Sequence, residues 1–315
     1  MPDTGTEMTL GEAGGAADGL ATQVFVQHRE LLFSVVYSML GSVADTEDVL
    51  QETWLAWASR SAATSAKQIT SPRAYLVRIA VNAALARRRA ISKRREDYVG
   101  PWLPEPLLTE NQAGDGADSV MRAQSVSLAL MVVLETLSPL ERTVFVLHEV
   151  FGYEHAEIAH ILDRSSSAIR QLDHRAREHV QARRPRFPTD PKLHQRVTER
   201  FVTAARSGDL TALMQVLAPE VTLWTDGGGK ARAAREVVHG RDRVARLIAG
   251  GGRRRPIADL GIRYRQINGE PAALLTSGGT PYLLVVLDLV PGGNQARGVY
   301  VITNPDKLSW LRRHQ

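Results

Sequence analysis

The chain has 315 residues, enough for two or three domains, and its 43% apolar and 23% charged content is that of a globular protein. The absence of cysteine excludes a disulfide scaffold, thiolate metal ligands and a cysteine nucleophile. The net charge of +5 is unevenly spread: residues 1–189 carry 20 basic and 23 acidic side chains, residues 190–315 carry 19 and 11. No apolar run approaches the roughly 20 residues of a membrane span. Residues 1–22 lack the basic and apolar regions of a signal peptide, so a cytoplasmic protein with a disordered N-terminus is expected.

Between Val24 and Ala58 the apolar spacing predicts two helices. One carries Phe25, Leu32, Val36 and Met39 and stops at Gly41-Ser42; the next opens near Asp45 as its cap. The second helix presents Asp45, Asp48, Gln51 and Glu52 beside Trp54 and Trp57, with no positive charge between Glu30 and Arg60. Phosphates would repel such a face, so a protein partner suits it; the alternative is that the tryptophans are core. Ser61–Thr70 reads as a polar loop, and Ser71-Pro72 opens a third helix in cap-then-proline order. Residues 71–95 hold eight basic side chains and no acid. Arg73, Tyr75, Arg78, Asn82, Arg87, Arg88 and Arg89 are residue types that hold phosphates and stack on, or hydrogen-bond to, bases of an opened strand. A solvated helix face is the alternative.

Residues 93–122 read as a linker, except that Trp102-Leu103-Pro104-Glu105-Pro106-Leu107 is too apolar for an idle tether and is expected to dock. A second helical block follows. Leu128 to Leu137 form an apolar helix, Ser138-Pro139 starts another, and two more span Glu154–Leu162 and Ser166–Val180 around Asp163-Arg164-Ser165. A short helix, a tight turn and a longer helix make a helix-turn-helix, with Asp163 standing where glycine is usual. Its second helix would present Ser166, Ser167, Arg170, Gln171, His174 and Arg175 to a major groove. A purely structural helical hairpin is the alternative. Arg177, Arg183, Arg184 and Arg186 add basic charge downstream.

From Leu193 the texture changes. Helices at Leu193–Ala205 and Leu210–Leu217 precede a short strand Val221–Trp224, a helix Gly240–Ala249, and period-two strands at Ile262–Ile267, Ala272–Thr276, Tyr282–Leu289 and Arg297–Thr303. This order predicts an α+β domain with a mostly antiparallel sheet. Asp226-Gly227-Gly228-Gly229-Lys230 lacks the strand–turn–helix frame of a phosphate loop, so its glycines point to a sharp turn or close backbone approach. Asn304-Pro305-Asp306-Lys307 reads as a turn leaving the last strand, pinned by Leu308 and Trp310.

Together these segments resemble an extracytoplasmic-function (ECF) sigma factor of bacterial RNA polymerase. Asp45–Trp54 is similar to the helix that docks on the polymerase β′ clamp, and Pro72–Asn82 to the segments that melt and read the −10 element. Leu137–Phe145 through Arg175 is similar to the region that binds the −35 element and the β flap. The remainder resembles a SnoaL-like, cystatin-type domain, and ECF factors of this fused SigJ type share Trp102–Leu107, Asp226–Lys230 and Asn304–Leu308. The resemblance implies a multidomain chain: two all-α sigma domains at 23–92 and 123–186, the second with the helix-turn-helix, joined by a 93–122 linker and followed by an α+β domain at 190–315.

The resemblance also implies a non-enzymatic promoter-specificity subunit bound to core polymerase and promoter DNA, with no cofactor, no metal and no dedicated anti-sigma factor. The interdomain set would be Trp102, Leu103, Pro104, Asp226, Gly227, Gly228, Gly229, Lys230, Asn304, Pro305, Asp306, Lys307 and Leu308. Whether the C-terminal domain holds a small ligand stays open. Two rivals remain: a free-standing helix-turn-helix repressor, and an enzyme on the C-terminal fold. The enzyme reading has only Asp226, Asp242, Asp288, His194, His239, Tyr264, Tyr282 and Tyr300 to draw on, without a motif among them.

Overall fold

Leu32, Val35, Val36, Met39 and Leu40 line one face of a helix running from Leu10 to Leu40 (α1), none more than 1% exposed. Residues 10–63, 69, 71–109, 126–181, 190–254 and 259–312 are described, in a computed structural model. The helix α1 begins at Leu10, inside the 1–22 segment expected to be disordered. Ala21 and Phe25 are buried, and the Trp57 indole donates to the Ala21 carbonyl at 2.9 Å. Gly41 ends α1 with φ 70°, and α2 (Val43–Ala63) and α3 (Pro72–Glu96) follow. Ser42, not Asp45, caps α2: its hydroxyl accepts from the Asp45 amide at 3.3 Å.

The chain divides into two units, one of residues 1–90 and 139–173, the other of residues 91–138 and 174–315. The first unit joins α1 to α3 with α5 (Pro139–Phe145), a π-helical turn (Val146–Val150), α6 (His155–Leu162) and the start of α7 (Ser166–Gln181); α5 and the π-helical turn pack on α1. The C-terminal carbonyls of α1 lack intrahelical donors. Buried guanidiniums supply them, Arg142 to Ser38 and Arg88 to Met39, each at 2.9 Å.

The second unit is built on a six-stranded sheet: β1 (Leu217–Asp226), β2 (Val238–His239), β3 (Gly261–Ile267), β4 (Glu270–Ser277), β5 (Thr280–Leu289) and β6 (Ala296–Ile302). The spatial order is β2-β1-β6-β5-β4-β3, antiparallel except for the parallel β1–β6 pair. One face is covered by α8 (Pro191–Ser207), α9 (Leu210–Val216) and α10 (Arg241–Arg254), which bury Ala273, Leu275, Val285, Leu287 and Val299. The alternate residues Ala272, Leu274, Leu284, Val286 and Ile302 form a second core with Leu103, with Leu128, Ala129 and Val132 of α4 (Leu128–Leu134), and with Leu308 and Leu311 of α11 (Pro305–Arg312).

One expectation is revised here. β4 and β5 are buried on both faces rather than alternating between core and solvent, which is why their sequences are nearly continuous apolar runs. The first helix of the second helical block, α4, covers this sheet, where Leu128 and Val132 find apolar partners.

Candidate functional site

Helices α2 and α3 carry the acidic and basic residues singled out in the sequence. Gln51 and Glu52 are exposed and half of the Asp48 side chain is accessible, so this acidic face is not core. Trp57 is core, at 5% exposure, while half-buried Trp54 meets Phe25 with ring centroids 5.4 Å apart. The two charge sets are not independent. Arg87 donates through Nε to Asp45 at 2.8 Å and through Nη2 to Asp48, which raises its pKa further, the Asp45 hydrogen bond contributing most.

The remaining α3 residues divide into buried and open. Arg88 is buried on the Met39 carbonyl, whereas Arg89 and Asn82 are exposed, and Tyr75 and Arg78 are half-buried. Arg73 lies over the Tyr153 ring, 5.6 Å from its centroid, and the Asn82 amide reaches the Ile161 carbonyl at 3.4 Å. Most of the Ser61–Thr70 loop lies outside the described residues, as do Arg183, Arg184 and Arg186.

The helix-turn-helix forms as the spacing predicts. Asp163 takes the left-handed conformation, φ 51°, that ends α6, and Ser165 follows with its hydroxyl accepting from the Ala168 amide at 3.2 Å. Ile158, Ala159 and Ile161 of α6 are buried, as are Ile169, Leu172 and Ala176 of α7. Ser167, Arg170, Gln171, His174 and Arg175 remain on the exposed side of α7, with Ser166 half-exposed. Donors and cations sharing one open helix face suit base edges and phosphates. His174 also lies 3.5 Å from Glu178 one turn on.

Within the second unit, the linker and the two C-terminal motifs converge on one buried carboxylate. Asp226, 0% exposed, accepts hydrogen bonds from Tyr98 Oη at 2.6 Å, the Leu103 amide at 2.8 Å and Lys307 Nζ at 2.6 Å. The Lys307 ammonium also donates to the Leu103 carbonyl and sits 4.2 Å from the Trp102 ring centroid. Asn304 donates to Tyr98 Oη at 2.9 Å, and its amide nitrogen would stand 2.3 Å from a Cβ at Gly228, where φ is +58°. Only glycine permits that approach. A side chain at Gly227 would meet the Ala231 carbonyl at 2.3 Å, while Gly229 turns against Val99.

On the rim of this cluster, exposed Lys230 pairs with Asp306 at 2.5 Å. Asn304 caps α11 through the Asp306 amide, so Asn304–Lys307 starts a helix rather than being only a turn. Pro305 is exposed at the first position of α11, while Pro104 and Leu308 are buried. Burial, followed by the Asp226 hydrogen bond, raises the Tyr98 pKa strongly.

Two participants went unread in the sequence. Tyr98 stands four residues before Trp102, in the segment whose composition reads as a linker. Asn268, φ 51°, forms with Gly269 an Asn-Gly hairpin turn that was the available signal, and it docks the linker through Leu107 N at 3.0 Å and Leu107 O at 2.8 Å. Of the residues considered for an enzyme, Asp288 is paired with Arg297 at 2.9 Å, and buried His194 bonds the Leu287 carbonyl at 3.0 Å. His239 and Asp242 line a groove with Arg241, Arg243 and Arg246, away from Asp226. No helix among the described residues is long and apolar enough to cross a membrane.

The chain matches the family models described as Sigma-70 region 2, over residues 24–95, and Sigma-70, region 4, over residues 127–180. It is 41% identical over 223 residues to the ECF RNA polymerase sigma factor SigJ of Mycobacterium tuberculosis, covering 70% of each chain. With the probable ECF RNA polymerase sigma factor SigI of the same species it shares 32% identity over 287 residues, 90% of this chain and 93% of the relative. The crystal structure of M. tuberculosis SigJ superposes with a TM-score of 0.72 at 34% identity, covering 91% of this chain and 98% of that one.

Proposed function

Because the chain belongs to the extracytoplasmic-function sigma factors of RNA polymerase, we propose that its helical segments divide promoter recognition and that its C-terminal domain regulates them in cis. A sigma factor confers promoter-specific initiation on polymerase and is not an enzyme. In this reading α3, through Arg73, Tyr75, Arg78, Asn82, Arg87 and Arg89, engages a melted −10 strand together with the Ser61–Thr70 loop. Arg88 leaves that set, because its guanidinium is committed to the α1 carbonyl. Ser166, Ser167, Arg170, Gln171, His174 and Arg175 read the −35 duplex. Asp45, Asp48, Gln51, Glu52 and Trp54 dock on the β′ clamp, and the second helical block meets the β flap. The site of action is the cytoplasm, where bacterial DNA is transcribed.

The observation that carries this proposal is the open polar face of α7 behind a formed helix-turn-helix. Run-off transcription with core polymerase tests it. The doubly substituted Arg170→Ala/Gln171→Ala chain should lose transcript about tenfold or more, since each lost base contact costs about 1–3 kcal/mol, while still co-purifying with core enzyme. Undiminished transcription, or tight binding of a duplex operator by the unaided protein, would favour a repressor instead.

The cis-regulatory part rests on the docking of Trp102–Leu107 against Asp226 and Lys307. Lys230→Ala and Asp306→Ala alter only the exposed rim of that cluster. A changed transcript yield at unchanged core binding supports regulation in cis; identical yields from both variants and the parent refute it. The proposal assigns no role to a dedicated anti-sigma protein, and a stoichiometric inhibitor co-purifying with the chain would overturn that part. It also assigns no ligand to the C-terminal domain.

A further inference from the structure

His148, His155 and Asp173 bring three ligand atoms within 4.8 Å of one another in the first unit. We infer that they form a binding site for a divalent transition-metal ion of the zinc class, which ties the two helices of the helix-turn-helix to the turn that precedes them. His148 lies in the π-helical turn, His155 is the first residue of α6, and Asp173 projects from the buried side of α7.

The hydrogen bonds fix how the ligands face. His148 Nδ1 is 2.8 Å from the Tyr153 carbonyl, and a carbonyl only accepts, so Nδ1 carries the proton. In the neutral ring, Nε2 then bears the lone pair, and it faces Asp173 Oδ2 at 3.9 Å. A backbone carbonyl that holds the other ring nitrogen is the usual orienting partner of a metal-bound histidine. His155 Nε2 lies 3.1 Å from the same Oδ2, and the two imidazoles stack with centroids 4.2 Å apart. A tetrahedral ion with bonds of about 2.0–2.1 Å needs ligand atoms about 3.3–3.4 Å apart. The separations of 3.1 and 3.9 Å from Asp173 Oδ2 bracket that value, and with all three ligand atoms within 4.8 Å of one another the imidazoles would turn inward to close on the ion.

Two imidazoles and one carboxylate suit zinc or ferrous iron, whereas calcium and magnesium require more oxygen ligands. Both histidines keep about a quarter of their side chains accessible, which gives the ion a way in, while Asp173 is 5% exposed. The ion would lie on the inner side of α7, so it would fix the pose of that helix without occupying Arg170, Gln171 or His174.

Titration of the full chain, stripped with a chelator, with Zn2+ alone against a competing chromophoric indicator tests this. One Zn2+ per chain should bind, and excess Mg2+ should not displace it. His148→Gln and His155→Gln should each weaken binding by about 100-fold or more, because even outer-shell substitutions cost 10–100-fold. His160→Ala, which changes an exposed histidine on the neighbouring turn of α6, should leave binding unchanged. Two readouts need no variant: Co2+ should give the intense visible band of a four-coordinate ion, and Zn2+ should raise the melting temperature of the parent chain. No binding by the parent chain, equal binding by His148→Gln and His155→Gln, or neither a Co2+ band nor a melting shift would overturn the site.

Discussion

Replacing Asp226 by alanine should destabilise the second unit more than any single exposed change. The carboxylate receives three donors, and its partner Lys307 is itself 6% exposed. Removing one member of a buried ion pair leaves an uncompensated charge and costs about 3–5 kcal/mol. For a unit of this size each kcal/mol lowers the melting temperature by about 2–4 °C, so a drop on the order of 10 °C is expected. In Asp226→Ala/Lys307→Met the stranded ammonium is gone. The remaining loss is the unpaired Tyr98 and Leu103 donors and the contact over the Trp102 ring, about 1–3 kcal/mol for each buried donor left unsatisfied. The double variant should therefore be no less stable than Asp226→Ala, a coupling of about 2 kcal/mol or more. Urea unfolding of the full chain reports this through Trp102, Trp224 and Trp310, all in the second unit. Additive single effects, or a loss below about 1 kcal/mol for Asp226→Ala, would show that the cluster is not held by its buried charge pair.

The same cluster should respond to alkali. The folded-state pKa of Tyr98 is raised, so its contribution is fully present below the unfolded value near 10 and is lost as pH rises through the folded value. Tyr98→Phe should accordingly flatten the fall in urea midpoint above pH 10, and an unchanged slope would contradict the buried phenol. Gly228→Ala should cost more than Gly152→Ala, because both have positive φ but only the former meets Asn304; thermal melts that rank them equally would refute the steric argument. Asp163→Gly should stabilise the helix-turn-helix by up to about 1 kcal/mol by relieving a left-handed aspartate. A lower urea midpoint for that variant would show that the Asp163 side chain has a role of its own.

Local patterns made most of the elements legible. The helix-turn-helix was readable from the spacing of Ile158, Ala159 and Leu162 and of Ile169, Leu172 and Ala176, of which all but the half-buried Leu162 are buried, and the strands from their apolar runs. What the sequence hid was where faces meet. The apolar run of β4 could have been half-buried; its burial on both sides depends on α4 arriving from more than a hundred residues upstream. Charges were misread for a similar reason. Asp45 looked like a cap and Arg88 like a phosphate ligand, but the former is held by Arg87 and the latter by the α1 carboxyl end. Periodicity assigns a side chain to a face and does not say which distant group will satisfy it. The three short motifs were recognisable as segments without a local role, and the residue that unites them, Asp226, was visible only as one end of a glycine turn.

The proposed contact residues differ in how firmly the first unit holds them, and that difference bears on activation. Arg88 and Arg142 are buried, and releasing either would strand a charge at a cost of several kcal/mol. Arg87 is a partly exposed pair worth about 0–1 kcal/mol, Arg73 over Tyr153 about 0.5–1 kcal/mol, and the 3.4 Å Asn82 bond less than a normal hydrogen bond. Freeing Arg73, Asn82 and Arg87 together therefore costs about 1–3 kcal/mol, which lies within the range of an allosteric coupling. Such a restraint lowers the fraction competent to engage a strand by about 5- to 150-fold, and a polymerase surface that takes Asp45 and Asp48 from Arg87 offsets part of it. Acidic docking residues paired with a basic strand-binding residue thus make the two proposed interactions interdependent: occupying the acids releases the cation for DNA.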